Sequence, residues 1–292
     1  MGRCGGKSDT ARSENQKHGL KTRATSMSEI DQDYPLTDEQ IRSYRENGFL
    51  KVESVFTGSV LDQFRGAVAA AVELERDTAV TPEHERDQAR AAYDRLFIQK
   101  VNLWRRHELV RPFVLSRRLG NLAARLAGRP MRLWHDHALF KEPRTGVRTP
   151  WHQDAPYWPH EQREHQVSVW IALKDATIVN GCMSFIPGSH KLGALAAVNL
   201  ANPADIVDVA PQLKGVKPVT HELKAGSVTF HNGLAFHYAG PNKSDEMREA
   251  IAIIYMPADT KYDGARHVCT DALKLPVGAG LDGEMFPVVS DV

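Results

Sequence analysis

No run of 18 or more apolar residues occurs in the 292-residue chain, so no segment reads as a membrane-spanning helix. Cysteine is scarce. Cys4, Cys182 and Cys269 are odd in number and far apart, which argues against a disulfide framework and for a reducing, cytoplasmic setting. Charge of one sign is also missing: 37 Lys and Arg against 36 Asp and Glu leave a formal net charge of +1. Without a global field or a basic stripe, neither nucleic acid nor an anionic membrane is an expected partner. Met1 to Ser26 is polar throughout and lacks the apolar core of a secretory leader. No internal repeat is present, which excludes solenoid and propeller folds. What remains, 42% apolar and 25% charged residues, is an ordinary globular composition.

The first 26 residues hold six basic and two acidic side chains, and Leu20 is their only large aliphatic residue. They cannot bury enough apolar surface to offset the entropy of ordering, and a disordered tail is expected. A second start-like run, Met27-Ser28-Glu29-Ile30, opens the folded part, read as one domain over 27–292. Thr37 followed by Gln40 is a capping-box signature for a helix that ends at Asn47-Gly48, and a strand is predicted over Phe49 to Val52. Apolar spacing predicts helices over Val60 to Asp77, Glu108 to Leu115 and Arg117 to Ala127, with a charged connector from Arg76 to Arg90 before Tyr93 to Phe97.

From Met131 the pattern changes to short β-type runs between Gly, Pro and Asn. Seven candidates are Met131–Phe140, Gln166–Leu173, Met183–Ile186, Thr220–Leu223, Ser227–His231, Ala235–Tyr238 and Ile251–Met256. The expected fold is mainly β, a sandwich or jelly-roll core over 131–257 behind a helical layer over 36–127.

Chemistry concentrates in Thr149-Pro150-Trp151-His152-Gln153-Asp154. On an extended strand His152 and Asp154 share a face and can point at one ion. Two histidines and one carboxylate on one face of an octahedron are the ligands of non-haem Fe(II) oxygenases, so a distant second histidine is needed. A His-x-Asp pair alone is a common surface pattern. The distant half is found in Gly226-Ser227-Val228-Thr229-Phe230-His231, His237-Tyr238-Ala239-Gly240-Pro241-Asn242 and Arg248, with Asn180-Gly181-Cys182 and Pro187-Gly188-Ser189-His190 between.

Together these segments resemble the phytanoyl-CoA dioxygenase family of iron- and 2-oxoglutarate-dependent oxygenases, over about Leu36 to Met256. Arg248 stands eleven residues after His237, and Trp170 eighteen after His152, at the family's spacings. The resemblance implies a double-stranded β-helix (a cupin-like jelly roll), with Fe(II) on His152, Asp154 and His237. It also implies 2-oxoglutarate held by Arg248, Lys100 and Trp170, and O₂ as the second co-substrate. Arg suits the far carboxylate of a 2-oxo acid, being permanently charged and able to donate two parallel hydrogen bonds. Ser227 departs from the family, where Asp commonly follows that glycine, and altered local capping is the expected result.

Histidine is abundant, with thirteen copies. His231 is the rival of His237 as ligand, and His237 is preferred because the resemblance implies a non-ligand histidine at position 231 and the Asn232-Gly233 turn should redirect it. His135 and His137 alternate on one predicted strand; His135 is placed in the substrate pocket, with Tyr157 and Trp158 from the loop after Asp154, while His137 is read as structural. The intact Asp154 argues against halogenation, for which related enzymes replace this carboxylate with a small residue. Absence of a Lys/Arg cluster able to clamp CoA phosphates points to a small or mid-sized organic substrate. Hydroxylation is the expected outcome. Desaturation, epoxidation, ring formation or demethylation on the same scaffold, a non-catalytic jelly-roll binding module and a zinc hydrolase are the alternatives.

Overall fold

The structure, a computed structural model, describes residues 30–77, 98–200 and 203–291. The expected tail over 1–26, the charged connector beyond Asp77 and the run Tyr93 to Phe97 lie outside the described residues.

Helix α1 (Asp38–Asn47) begins as its sequence dictates. The Thr37 hydroxyl accepts the Gln40 N–H at 3.2 Å, and the Gln40 side chain accepts the Thr37 N–H at 2.9 Å. Gly48 ends it at φ +84°, and strand β1 (Phe49–Val52) follows at once. Helix α2 (Gly58–Leu74) buries Val60, Phe64, Val68 and Val72 on one stripe, with Phe64 stacked on Phe113 at 4.5 Å. It ends three residues short of the expected Asp77. Strand β2 (Ile98–Val101) was not expected. A single turn not expected, α3 (Leu103–Arg106), follows β2, and the helix predicted over Glu108 to Leu115 shrinks to one turn, α4 (Arg111–Val114), with Pro112 in its first positions. Helix α5 (Arg117–Ala127) keeps its predicted bounds, capped by Ser116 and closed by Gly128.

Nine further segments complete the architecture: β3 (Met131–Lys141), β4 (Thr149–His152), β5 (Val167–Ala172), β6 (Met183–Phe185), α6 (Ile206–Val209), β7 (Val219–His221), β8 (Val228–Asn232), β9 (His237–Ala239) and β10 (Arg248–Pro257). All pairings are antiparallel, in a six-stranded sheet ordered β1-β8-β5-β10-β3-β2 and a four-stranded sheet ordered β4-β9-β6-β7. Side chains alternate across each strand. In the large sheet Val167, Val169 and Ile171 of β5, Val228 and Phe230 of β8, and Ile251, Ile253 and Tyr255 of β10 pack against the helices. Trp170, Ala172, Ala250, Ala252 and Ile254 turn the other way, to Met183, Phe185 and Ala239 of the small sheet. Burial on both faces explains why these strands read as near-continuous apolar runs. The mainly antiparallel sheets with a helical layer agree with the expected class, and the space between the sheets is where the candidate site lies.

Gly226, at the start of the β8 run, has φ +82° and approaches the chain so closely that a Cβ would stand 1.9 Å from the Phe56 carbonyl oxygen. The Phe56 N–H donates to the Gly226 carbonyl at 3.0 Å, and Ser227, buried, accepts the Ser54 N–H at 3.1 Å. These bonds join the exit of β1 to β8. Gly226→Ala should lose about 1–3 kcal/mol from backbone strain alone, with the clash in addition. A thermal melt of the purified variant checks it, and an unchanged Tm would refute the argument.

Candidate metal centre

His152 closes β4, and His237 opens β9, its hydrogen-bonded neighbour in the small sheet, with the two residues in direct register. Their ring centroids are 4.1 Å apart. Asp154 is not on the strand, contrary to the extended His-x-Asp reading. The strand ends at His152, and Asp154 has helical backbone angles (φ −78°, ψ −47°) at the start of the turn Ala155–Tyr157. That turn, and not strand alternation, carries its carboxylate to the histidines. Gln153 sets the corner: its amide donates to the carbonyls of Gly193 (2.9 Å) and Leu234 (2.7 Å) and accepts the Leu195 N–H (2.9 Å).

The Nε2 atoms of His152 and His237 lie 3.4 and 3.5 Å from Asp154 Oδ1, and the candidate ligand atoms of all three fall within 4.8 Å of one another. Each ring spends its other nitrogen on the backbone. His152 Nδ1 donates to the Pro150 carbonyl at 2.8 Å, and His237 Nδ1 to the Ala235 carbonyl at 3.0 Å. A carbonyl can only accept, so the Nε2 atom of each neutral ring presents a lone pair, as a metal ligand must. Burial and the neighbouring His152 keep His237 well below the usual histidine range, hence neutral. Burial alone would raise Asp154; the surrounding His237, His152 and His231 hold it well below the usual carboxylate range.

His231 sits beside this group without duplicating its geometry. Its Nε2 meets the other carboxylate oxygen, Oδ2, at 3.3 Å, and the Ser168 hydroxyl donates to the same atom at 3.3 Å. A small cavity of about 60 Å³ opens from the three residues, walled by Leu139, Thr149, Trp170, Met183, Ala239 and Ala252 and reaching Arg248. Arg248 is buried, donates Nη1–H to the Leu139 carbonyl at 3.0 Å, and lies 5.2 Å from the Trp170 ring. Its Nε has no hydrogen-bond partner among the described residues. Burial pulls this guanidinium down to about 9, so it stays charged at neutral pH. Lys141, paired with Arg248 across β3 and β10, is fully buried and donates to the Gly240 carbonyl at 2.7 Å, tying the β9–β10 turn to the large sheet.

The structure does not bring every sequence candidate to the cavity. Lys100 stands opposite Ala138, whose side chain joins the helix-side core, and its Nζ donates to the Arg76 carbonyl at 3.2 Å. The residue therefore points away from the cavity; the site-facing positions of β2 are Gln99 and Val101. A one-residue slip on a strand exchanges faces, and a short motif does not fix register that closely. Trp158 is 6% exposed, edge-on to His135 at 5.9 Å, so both belong to an aromatic layer beside the cavity and not to its wall. Tyr157 is half-buried, 6.4 Å from the His152 ring, with its hydroxyl on the Val198 carbonyl. His137, read as structural, does line the cavity, and its Nδ1 lies 2.9 Å from the Gln99 amide nitrogen. The alternation His135, His137, Leu139 was the available signal for it.

Comparison with known proteins agrees with this geometry. The sequence model of the phytanoyl-CoA dioxygenase (PhyH) family matches residues 44–250. A probable alpha-ketoglutarate-dependent hypophosphite dioxygenase of Stutzerimonas stutzeri is 26% identical over 76% of this chain and 79% of its own. Among solved structures, the non-heme alpha-ketoglutarate-dependent carbocyclase SnoK from nogalamycin biosynthesis superposes with a TM-score of 0.74 at 31% identity, covering 87% of this chain and 96% of that one. The epimerase SnoN, in complex with Fe3+, alpha-ketoglutarate and nogalamycin RO, gives 0.70 at 26%, covering 86% and 98%. No helix among the described residues is long and apolar enough to cross a membrane.

Because Gln153 holds the corner between His152 and Asp154, Gln153→Leu should weaken divalent-metal affinity about 10- to 100-fold although the side chain faces away from the metal position. Calorimetric titration with Ni(II), beside a thermal melt, checks this. Wild-type affinity in a folded variant would show that the turn holds Asp154 without it.

Proposed function

We propose, from the premise that this chain belongs to the phytanoyl-CoA dioxygenase family of iron- and 2-oxoglutarate-dependent oxygenases, that it hydroxylates an unactivated C–H bond of a small or mid-sized organic metabolite. The observation that carries the reading is the convergence of two Nε2 lone pairs and Asp154 Oδ1 at one end of a cavity that reaches a buried arginine.

The residues fit Fe(II) and 2-oxoglutarate. Two imidazoles and one carboxylate are the donor set of the facial triad, and Arg248 offers a buried cation with an unpartnered Nε to the far carboxylate of the 2-oxo acid. Bound there, iron and O₂ supply the oxidation of 2-oxoglutarate to succinate and CO₂ and the oxidant that attacks the substrate. The chain supplies the rest. His152, Asp154 and His237 hold the metal on one side, leaving the cavity side to co-substrates. His231 and Ser168 occupy Asp154 Oδ2, which favours ligation through Oδ1 alone. Trp170 lies beneath the Arg248 guanidinium and limits where the 2-oxo acid can lie. Leu139, Met183, Ala239 and Ala252 present an apolar wall that excludes water from the reacting centre.

An intact Asp154 supports oxygenation over halogenation. Lack of a basic cluster suited to CoA phosphates supports a free metabolite over an acyl-CoA. Oxidative ring closure is the second reading, favoured by the likeness to the carbocyclase SnoK.

Anaerobic titration with Fe(II) and 2-oxoglutarate tests the assignment. A weak visible charge-transfer band that requires both ligands is expected. Asp154→Ala should abolish it. Arg248→Ala should raise the 2-oxoglutarate Kd at least 100-fold, about 3 kcal/mol for a buried charge left without its partner. No band, with Fe(II) bound weakly or not at all, would overturn the oxygenase assignment; with the band present, succinate release across a metabolite panel finds the substrate, and product mass separates hydroxylation from ring closure.

A further inference from the structure

We infer a second metal site, for a borderline-soft divalent cation of the zinc type, formed by His135, His267 and Cys269 where the C-terminal segment folds back onto β3. One ligand atom from each lies within 4.8 Å of the others. His135 is 3% exposed, and among the described residues neither of its ring nitrogens has a hydrogen-bond partner, a costly condition for a buried imidazole unless something else occupies its lone pair. Cys269 is buried, and its Sγ accepts the Asn102 side-chain N–H at 3.3 Å, the kind of supporting bond that metal thiolates receive. Asn102 is itself fixed, its backbone N–H on the Asp136 carbonyl at 2.8 Å. His267 and Cys269 share one turn, in which His267 Nδ1 accepts the Cys269 N–H at 3.2 Å, and cation binding would take over that lone pair, the only one of a neutral imidazole.

Two imidazoles and a thiolate make a softer donor set than the His152, Asp154 and His237 group, and suit zinc with one position left for water. Location supplies the reason for such a clip. Residues 258–291 follow the last strand and, among the described residues, carry only short 3-10 turns and isolated bridges such as His160↔Tyr262 and Lys261↔Gly280. Backbone bonds tie down the two ends of this segment, such as Asp263 N–H to the Pro159 carbonyl (3.1 Å) and Val289 N–H to the Met131 carbonyl (3.1 Å), and a cation joining His135 of β3 to His267 and Cys269 would add a tie between them. His267 and Cys269 also lie beyond residue 250, where the family match ends, so that match says nothing of this group. Cation uptake displaces the thiol proton of Cys269 to solvent.

Co(II) titration of the full chain under anaerobic conditions tests the inference without any substrate. Two equivalents are expected, one of them giving an intense thiolate-to-cobalt absorption in the near ultraviolet. Cys269→Ser and His135→Gln should each remove that absorption and one equivalent, while Asp154→Ala removes the other equivalent and leaves the absorption. Zinc should raise the wild-type Tm by more than it raises that of Cys269→Ser. A single equivalent with no thiolate absorption in the wild-type protein would overturn the inference whatever the variants do, as would absorption that survives Cys269→Ser. The outcome is independent of the oxygenase reading, which stands or falls on the iron and 2-oxoglutarate band.

Discussion

The cost of burying a charge without its partner organises the space between the two sheets. Asp154 is surrounded by His152, His237 and His231, and its stability as an anion depends on them. At Arg248 the cavity has a guanidinium with a carbonyl and a tryptophan face for company and, among the described residues, no carboxylate beside it. A divalent cation satisfies the first end, and an acid satisfies the second. Each group left alone would cost several kcal/mol after relaxation, which is why a metal and a dicarboxylate together suit this cavity better than either an apolar ligand or a simple cation.

That arrangement requires a sheet buried on both faces. The same strands that send Val169, Phe230 and Ile253 into the helical core send Trp170, His231 and Ala252 toward the metal position. Helices α2 and α5 therefore act on the site at one remove, by fixing the register of strands they never leave. Lys141 adds a bond between sheets, from the end of β3 to the carbonyl of Gly240, so the turn that delivers Arg248 is anchored at its base. Asn242 does the same from the turn itself, donating to the carbonyls of Lys141 and Glu246 at 3.0 and 2.7 Å.

Much of this was legible in the residues because it is written in local chemistry. The Thr37 and Gln40 box, the Gly128 stop and the apolar run of β5 each depend on neighbours within a few positions. The spacing of His152, Asp154, His237 and Arg248 was readable through a family pattern, and the structure gathers those four around one cavity. What stayed hidden depends on register or on distant partners. Lys100 faces the helices because β2 pairs with β3 at one offset and not the next, and its four-residue strand carries too little alternation to reveal that. Asp154 leaves the strand because Gln153 is claimed by carbonyls at Gly193 and Leu234, some 40 and 81 positions away. Trp158 reads equally well as a pocket wall or as core. Only the packing of His135 and His160 against it decides.

The centre and its surroundings are built by different means, and this bears on how far the reaction type can be read from the metal ligands. His152 and His237 have their tautomers set by backbone carbonyls two residues away, and Asp154 is placed by a turn; these devices use main-chain atoms that most substitutions leave alone. The cavity walls, in contrast, are side chains of β3, β5, β6 and β10: His137, Leu139, Trp170, Met183 and Ala252. Exchanging Ala252 for a larger residue or His137 for a shorter one would reshape the space above the metal without disturbing its ligands. A scaffold divided in this way can keep one oxidising centre while the walls choose which C–H bond reaches it. Selectivity in this chain should therefore be sought on the large sheet, in the side chains that face Asp154 from across the cavity.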